Sequence, residues 1–172
     1  MNYAKTSLFI DVETKIIIDW DLVMSREHDV KIAERIFKRN LLRGIRGLGD
    51  KGYDSESLHE IARKNGIEFF APVRKMDKRA FTNQRPKGFY RRKCKENPPE
   101  DKSMRSISEN VNSVLKGTQI ISLRSKKHFM RERELGWHII LYNIKREIKI
   151  SDSGEIQTFL FFNLRVISFG TT

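Results

Sequence analysis

A mixed α/β domain is what this sequence predicts, and three observations carry the prediction. Short stretches of period-two hydrophobicity alternate along the chain with longer stretches of helical period. The chain has 172 residues, enough for one domain with a real core and too few for two comfortable ones. Hydrophobic residues make up 38% and charged residues 33%, and both are spread along most of the length, which argues against wholesale disorder.

Residues 7 to 12 alternate, with Leu8, Ile10 and Val12 on one face and Phe9 and Asp11 on the other, so a strand is expected there. A second follows in residues 16 to 23. Ile16, Ile18, Trp20 and Leu22 share a face, Asp19 and Asp21 point the other way, and Thr14-Lys15 is the turn of a hairpin with one apolar side. Asp29 is placed to cap a helix running to about Arg43, because Ile32, Ala33, Ile36, Phe37 and Leu41 recur at helical spacing. Gly44 ends it. Ile45 to Gly49 reads as a short strand, and Asp54 or Ser55 then caps a helix with Leu58, Ile61 and Ala62 inward and Asn65-Gly66 at its close.

Ile67 to Val73 is an apolar run of strand length, ended by Pro72. Residues 74 to 100 show no period, carry all but one of the four prolines and are dense in Lys and Arg, which predicts a basic mobile loop. Two helices are expected after it, at about 101 to 116 and 125 to 146. The second would turn Phe129, Trp137, Ile140, Leu141 and Ile144 inward, with Trp20 and Trp137 in the core.

The charge balance points to a polyanion. Thirty-four Lys and Arg against 22 Asp and Glu leave a net charge of +12 and a pI near 10.0, and neutralising phosphates releases counterions. Nucleic acid is the leading partner and a membrane surface the second. Cys94 is the only cysteine, which excludes an intrachain disulfide and a cysteine-built zinc site. The N-terminus has no signal-peptide pattern and no long apolar span occurs, so a cytoplasmic, nucleoid-associated protein that spans no membrane is expected.

Against that charge, three carboxylates stand out. Asp50 lies where a short strand meets a glycine-flanked turn, in GLGDKGYDSE, and Asp11 lies on the first strand. If those strands were neighbours, the two would sit side by side and suit a hard, oxygen-seeking cation such as Mg²⁺. Arg105, Glu109, Asn112 and Lys116 fall at i, i+4, i+7 and i+11, a polar stripe opposite Ile107, Val111, Val114 and Leu115. The same stripe is also what a solvated helix face with an Arg-Glu pair looks like. By face alone, Asp19 or Asp21 fits as well as Asp11. His28 reads as a neighbour of the helix cap, and neither it nor His59 is taken as a ligand.

LGDKGYDSE, followed by R-x3-E-x6-K within RSISENVNSVLKG and by a helix ending LYNIKRE, resembles the catalytic domain of DDE transposases from bacterial and archaeal insertion sequences. FIDVETKIII and the EHD before the first long helix belong to the same likeness, which covers about residues 5 to 147. The resemblance implies an RNase H-like mixed sheet flanked by helices. It implies that Asp11, Asp50 and Glu109 form the metal-binding triad, with two Mg²⁺ or Mn²⁺ ions catalysing phosphoryl transfer that cuts transposon ends and joins them to target DNA. Arg105 and Lys116 correspond to basic residues around the Glu that contact DNA. Asn112, Lys102, Arg91, Arg92, Lys93, Lys95, Lys126 and Lys127 would hold further phosphates, and Phe89 and Tyr90 are placed to stack on a distorted base or to pack locally. Double-stranded DNA and a homodimer are the expected partners.

The likeness has gaps. Only ten residues precede Asp11, Lys102 stands where the family has Tyr, and a third antiparallel strand is not evident between Val23 and the first helix. Residues 1 to 147 are therefore read as the catalytic domain, N-terminally truncated. Residues 148 to 172, Phe-rich and weakly charged, are read as a tail translated beyond an interrupted frame, although a strand completing the sheet is the other reading. A non-catalytic basic DNA-binding protein and a nuclease on the same fold are the alternative functions.

Overall fold

The computed structural model describes residues 4–40, 44–74, 86–117 and 123–152, and the backbone of 166–171. Five strands form one mixed sheet: β1 (Lys5–Asp11), β2 (Ile17–Val23), β3 (Ile45–Leu48), β4 (Ile67–Phe70) and β5 (Val166–Thr171), in the order β2-β1-β5-β3-β4. Five helices cover it: α1 (Asp29–Arg39), α2 (Glu56–Lys64), α3 (Phe89–Glu96), α4 (Ser106–Leu115) and α5 (His128–Asp152). Helices on both faces of a mixed sheet are consistent with the RNase H-like α/β class.

β1 is buried on both sides. Phe9 joins the cluster of α1 and α2 with Ile32, Phe37 and Leu58, while Leu8 and Ile10 join that of α4 and α5 with Val111, Leu115, Leu135 and Ile139. The hairpin thus has two apolar faces where the alternation predicts one. β1 and β2 pair antiparallel, and the register shifts between Phe9 and Ile10, so that Ile10 faces Ile17 and Ile18 is the extra residue. That bulge sends Ile17 to the α5 side and Ile18 to the α1 side, which breaks the alternation expected from Ile16 to Leu22. Residues 24 to 27 form no strand.

β5 decides the topology. It pairs antiparallel with β1, Leu8 opposite Gly170 and Asp11 opposite Ile167, and parallel with β3, Gly47 opposite Ile167 and Leu48 opposite Ser168. The C-terminal segment read as a tail therefore occupies the central seat of the sheet. β1 and β3 are not neighbours, and they run in opposite directions.

Several helix predictions need correcting. Asp29 is the first residue of α1, not its cap; His28 holds the cap position, and the Asp29 carboxylate pairs with the Lys5 ammonium. Within the stretch read as a loop, residues 86–100 contain α3, whose first amides bond to a distant residue: Tyr90 and Arg91 donate to the Glu56 carboxylate at 2.9 and 3.1 Å. Residues 75–85 lie outside the described residues. The chain ahead of α4 is 3₁₀ from Glu100 to Arg105, with three residues per turn rather than 3.6, so a helical count run through Arg105 drifts out of phase. Ser108, Val111, Asn112 and Leu115 face inward, and Val114 is 50% exposed.

α5 presents the opposite face from the one predicted. Arg131, Leu135, Gly136, Ile139 and Ile150 are buried, and Phe129, Trp137, Ile140, Leu141 and Ile144 are exposed. Polar anchors explain the choice. Tyr142 donates to the Lys15 carbonyl at 3.1 Å and Arg146 to the Thr14 carbonyl at 2.6 Å. Asn143 accepts from the Ile17 amide and donates to the Ile17 carbonyl, both at 2.9 Å. The LYNIKRE segment thus clamps the β1–β2 hairpin, and that fixes which side of α5 meets the sheet.

Candidate functional site

Asp50 follows the end of β3 and is exposed, its Oδ1 accepting from the Gly52 amide. Tight turns with an Asp side chain bonded two residues on form locally, so this position is legible in GLGDKGYDSE. Its surroundings are not. An ideal Cβ on Gly52 would lie 2.8 Å from both Asp29 Oδ2 and Asp50 Oδ1, so two carboxylates from different elements converge there and exclude any side chain. Tyr53, buried beneath, has its phenol held above the ordinary range by burial, and the nearby Asp29 and Asp50 charges act the same way, against a hydrogen bond from Ser7. Asp29 is the acid next to Asp50 that helix-cap reasoning hid; the EHD tripeptide was the available signal.

Asp11 is elsewhere. It is 5% exposed, its Oδ2 accepts from the Thr14 hydroxyl at 2.9 Å and its Oδ1 from the Glu13 amide at 3.3 Å, closing the hairpin turn. Through β5, Asp11 is level with Gly47, whereas Asp50 lies two residues beyond Leu48, the last residue of β3 paired with β5. Two strand spacings, roughly 10 Å between backbones, part β1 from β3, the strand that Asp50 follows. Glu109 sits on the outer side of α4 and is exposed. Among the described residues no group of three His, Cys, Asp or Glu is placed to hold a metal. A pair of Mg²⁺ ions shared by Asp11, Asp50 and Glu109 therefore does not fit this arrangement. Nor do Asp19 and Asp21 offer a substitute, since Asp19 binds Arg39 and Asn40 and Asp21 binds Arg35.

The basic residues divide into two groups. Arg91 is committed to the fold: its Nε and Nη2 donate to Asp54 at 2.7 Å each, and that carboxylate, 1% exposed, holds the guanidinium above its ordinary range. Arg92 donates to the Gly88 carbonyl. Asn112 is buried on the inner side of α4. Lys93, Lys116, Lys126 and Lys127 are exposed. Lys95, Lys102 and Arg105 line one groove of about 290 Å³ together with Arg74, Pro72 and Phe70. Arg74, which sequence reasoning passed over, donates to the carbonyls of Lys51 at 2.7 Å and Gly52 at 2.9 Å, and so ties that groove to the Asp50 turn. Four cations around an apolar floor suit a nucleic-acid backbone.

Phe89 and Tyr90 part company in a neighbouring cavity. Phe89 is 65% exposed, while Tyr90 stacks on His59 at 6.3 Å and has the Arg63 guanidinium 6.0 Å from its ring centroid. His59 is buried, its Nδ1 donating to the Phe69 carbonyl at 3.1 Å, and burial lowers its pKa. Burial also raises the Cys94 thiol, 3.9 Å from His59 Nε2. A thiol shifted that way is not a ready nucleophile.

No described helix is long and apolar enough to cross a membrane. None of the curated proteins and none of the solved structures compared matches the chain. A family model described as transposase DDE domain matches residues 2–144.

Proposed function

The chain belongs to the transposase DDE domain family, and from that membership we propose that it acts on double-stranded DNA by gripping backbone phosphates, without a closed metal centre in the arrangement described. The family is a class of DNA-processing enzymes. Two-metal phosphoryl transfer needs carboxylates around ions about 4 Å apart. Asp11 lies on β1, parted from β3 by β5, with its carboxylate bonded to Thr14 and Glu13 in the hairpin turn, and that placement is the observation that carries the non-catalytic reading. The groove of Arg74, Lys95, Lys102 and Arg105 beside the Asp50 turn supports the grip on DNA.

One observation favours the cutting reading as well. Asp50 follows the end of β3 with its carboxylate exposed, and Arg74, which lines that groove, is bonded to the carbonyls of the Asp50 turn.

Calorimetric titration of Mn²⁺ into the chain and into Asp50→Asn, with a short duplex present, separates the two. Equal metal uptake by both proteins and undiminished DNA affinity is the expected result. Uptake lost in Asp50→Asn, with metal-dependent nicking by the unsubstituted chain, would establish the cutting reading. For the grip itself, Lys95→Ala and Lys102→Ala should each lower the slope of log affinity against log salt by about 0.9 for every phosphate contact removed.

A further inference from the structure

A second groove, of about 650 Å³, lies between α4 and α5 beside the β1–β2 turn. Val111 and Val114 from α4 and Leu141 and Tyr142 from α5 make its floor. Lys15, Lys145, Arg146 and Lys149 stand around that floor, and no acid lines it. On α5 the lining residues His138, Leu141, Tyr142, Lys145 and Lys149 recur at helical spacing along one flank, a strip roughly 17 Å long. The bonds that clamp the hairpin also bring Lys15 here, since its carbonyl accepts from the Tyr142 hydroxyl. Lys15 holds a φ of 59°, a turn conformation that glycine or asparagine adopts at less cost.

We propose that this groove docks an acidic amphipathic helix of another protein, its apolar side on Val114 and Leu141 and its carboxylates on Lys15, Lys145 and Lys149. The floor separates this occupant from nucleic acid. Phe70, under the groove beside the Asp50 turn, is 7% exposed, so a phosphate backbone there leaves little apolar surface wet. Val114 and Leu141 are 50 and 53% exposed, and hydrated phosphates offer nothing apolar to cover them. An amphipathic helix answers the floor and the lysines together. The two grooves also stand apart: Arg105 at the start of α4 lines one and Gly117 past its end lines the other, roughly 18 Å along the helix. Partner and DNA should therefore bind at once.

Fluorescence polarisation on the full chain tests this, with a labelled helical peptide of Leu and Glu whose Leu side chains share one face, a scrambled peptide of the same composition, and a short DNA duplex. The patterned peptide should bind about tenfold more tightly than the scrambled one, and equally well with the duplex present. K145Q/K149Q, at two exposed positions, should weaken the peptide by about tenfold and leave DNA affinity and the thermal melt unchanged. Val114→Asp should weaken it as well, and the lysine pair decides the matter if that variant folds poorly. Equal binding of the scrambled peptide would reduce the groove to charge attraction and overturn the proposal. Displacement of the peptide by the duplex, or loss of DNA affinity in K145Q/K149Q, would overturn it by making the groove a nucleic-acid site. No binding of the patterned peptide would overturn it too.

Discussion

His59 is 3% exposed, wedged between Phe69 and Tyr90. Burial lowers its folded-state pKa below 6.5, while the unfolded chain keeps the ordinary value. Above pH 6.5 both states hold the ring neutral and its packing counts in full. As the pH falls through 6.5 the unfolded state takes up the proton first, so stability drops progressively until the folded pKa is reached. Thermal melts between pH 7.5 and 5 should therefore fall more steeply for the unsubstituted chain than for His59→Gln. Parallel curves would show that another group governs the acid limb. Single residues such as Asp50 were legible because their turn is built from neighbours in sequence. The partners of His59, Asp29 and Arg91 were not, since each meets a residue from another element.

Among the elements, α3 is the clearest case of a helix made from outside itself. Its sequence, FYRRKCKE, has four cations in eight residues and no acid in its first turn, a poor match to the helix dipole. Glu56 on α2 supplies the missing charge by accepting the Tyr90 and Arg91 amides. Asp54 then neutralises Arg91. Glu56→Ala should cost about 1 kcal/mol, the usual effect of losing a cap, and should speed amide exchange at Tyr90 and Arg91 while leaving α2 protected. Unchanged exchange at those two amides would mean that α3 stands without it. The facing of α5 follows the same logic. Apolar residues ring much of that helix, so period alone allowed two answers, and the hydrogen bonds of Tyr142, Asn143 and Arg146 to the hairpin select one.

At the scale of the molecule, β5 joins two halves that otherwise share no strand pairing. β2 and β1 form one side and β3 and β4 the other, with α1 bridging them by contacts to β1, β2 and α2. Removing residues 166–172 would leave β1 and β3 as unpaired edges at the heart of the sheet, a template for aggregation. Loss of cooperative melting with association of the truncated chain is the expected outcome. A truncated chain that melted like the full one would return the segment to the status of a dispensable tail.

By itself the sequence determined β1 to β4, α1 and α2, the basic character and the Asp50 turn, because each rests on a local period, a local turn or a sum of charges. Only the tertiary structure decided the order of the strands, the facing of α4 and α5, and the separation of Asp11 from Asp50. The reason is physical. Alternation says that a strand is buried but not against which neighbour, and pairing between segments more than a hundred residues apart is settled by the packing of the whole sheet. β5 won the seat beside β3, and that placement, which no residue near Asp11 or Asp50 encodes, sets what the two carboxylates can do.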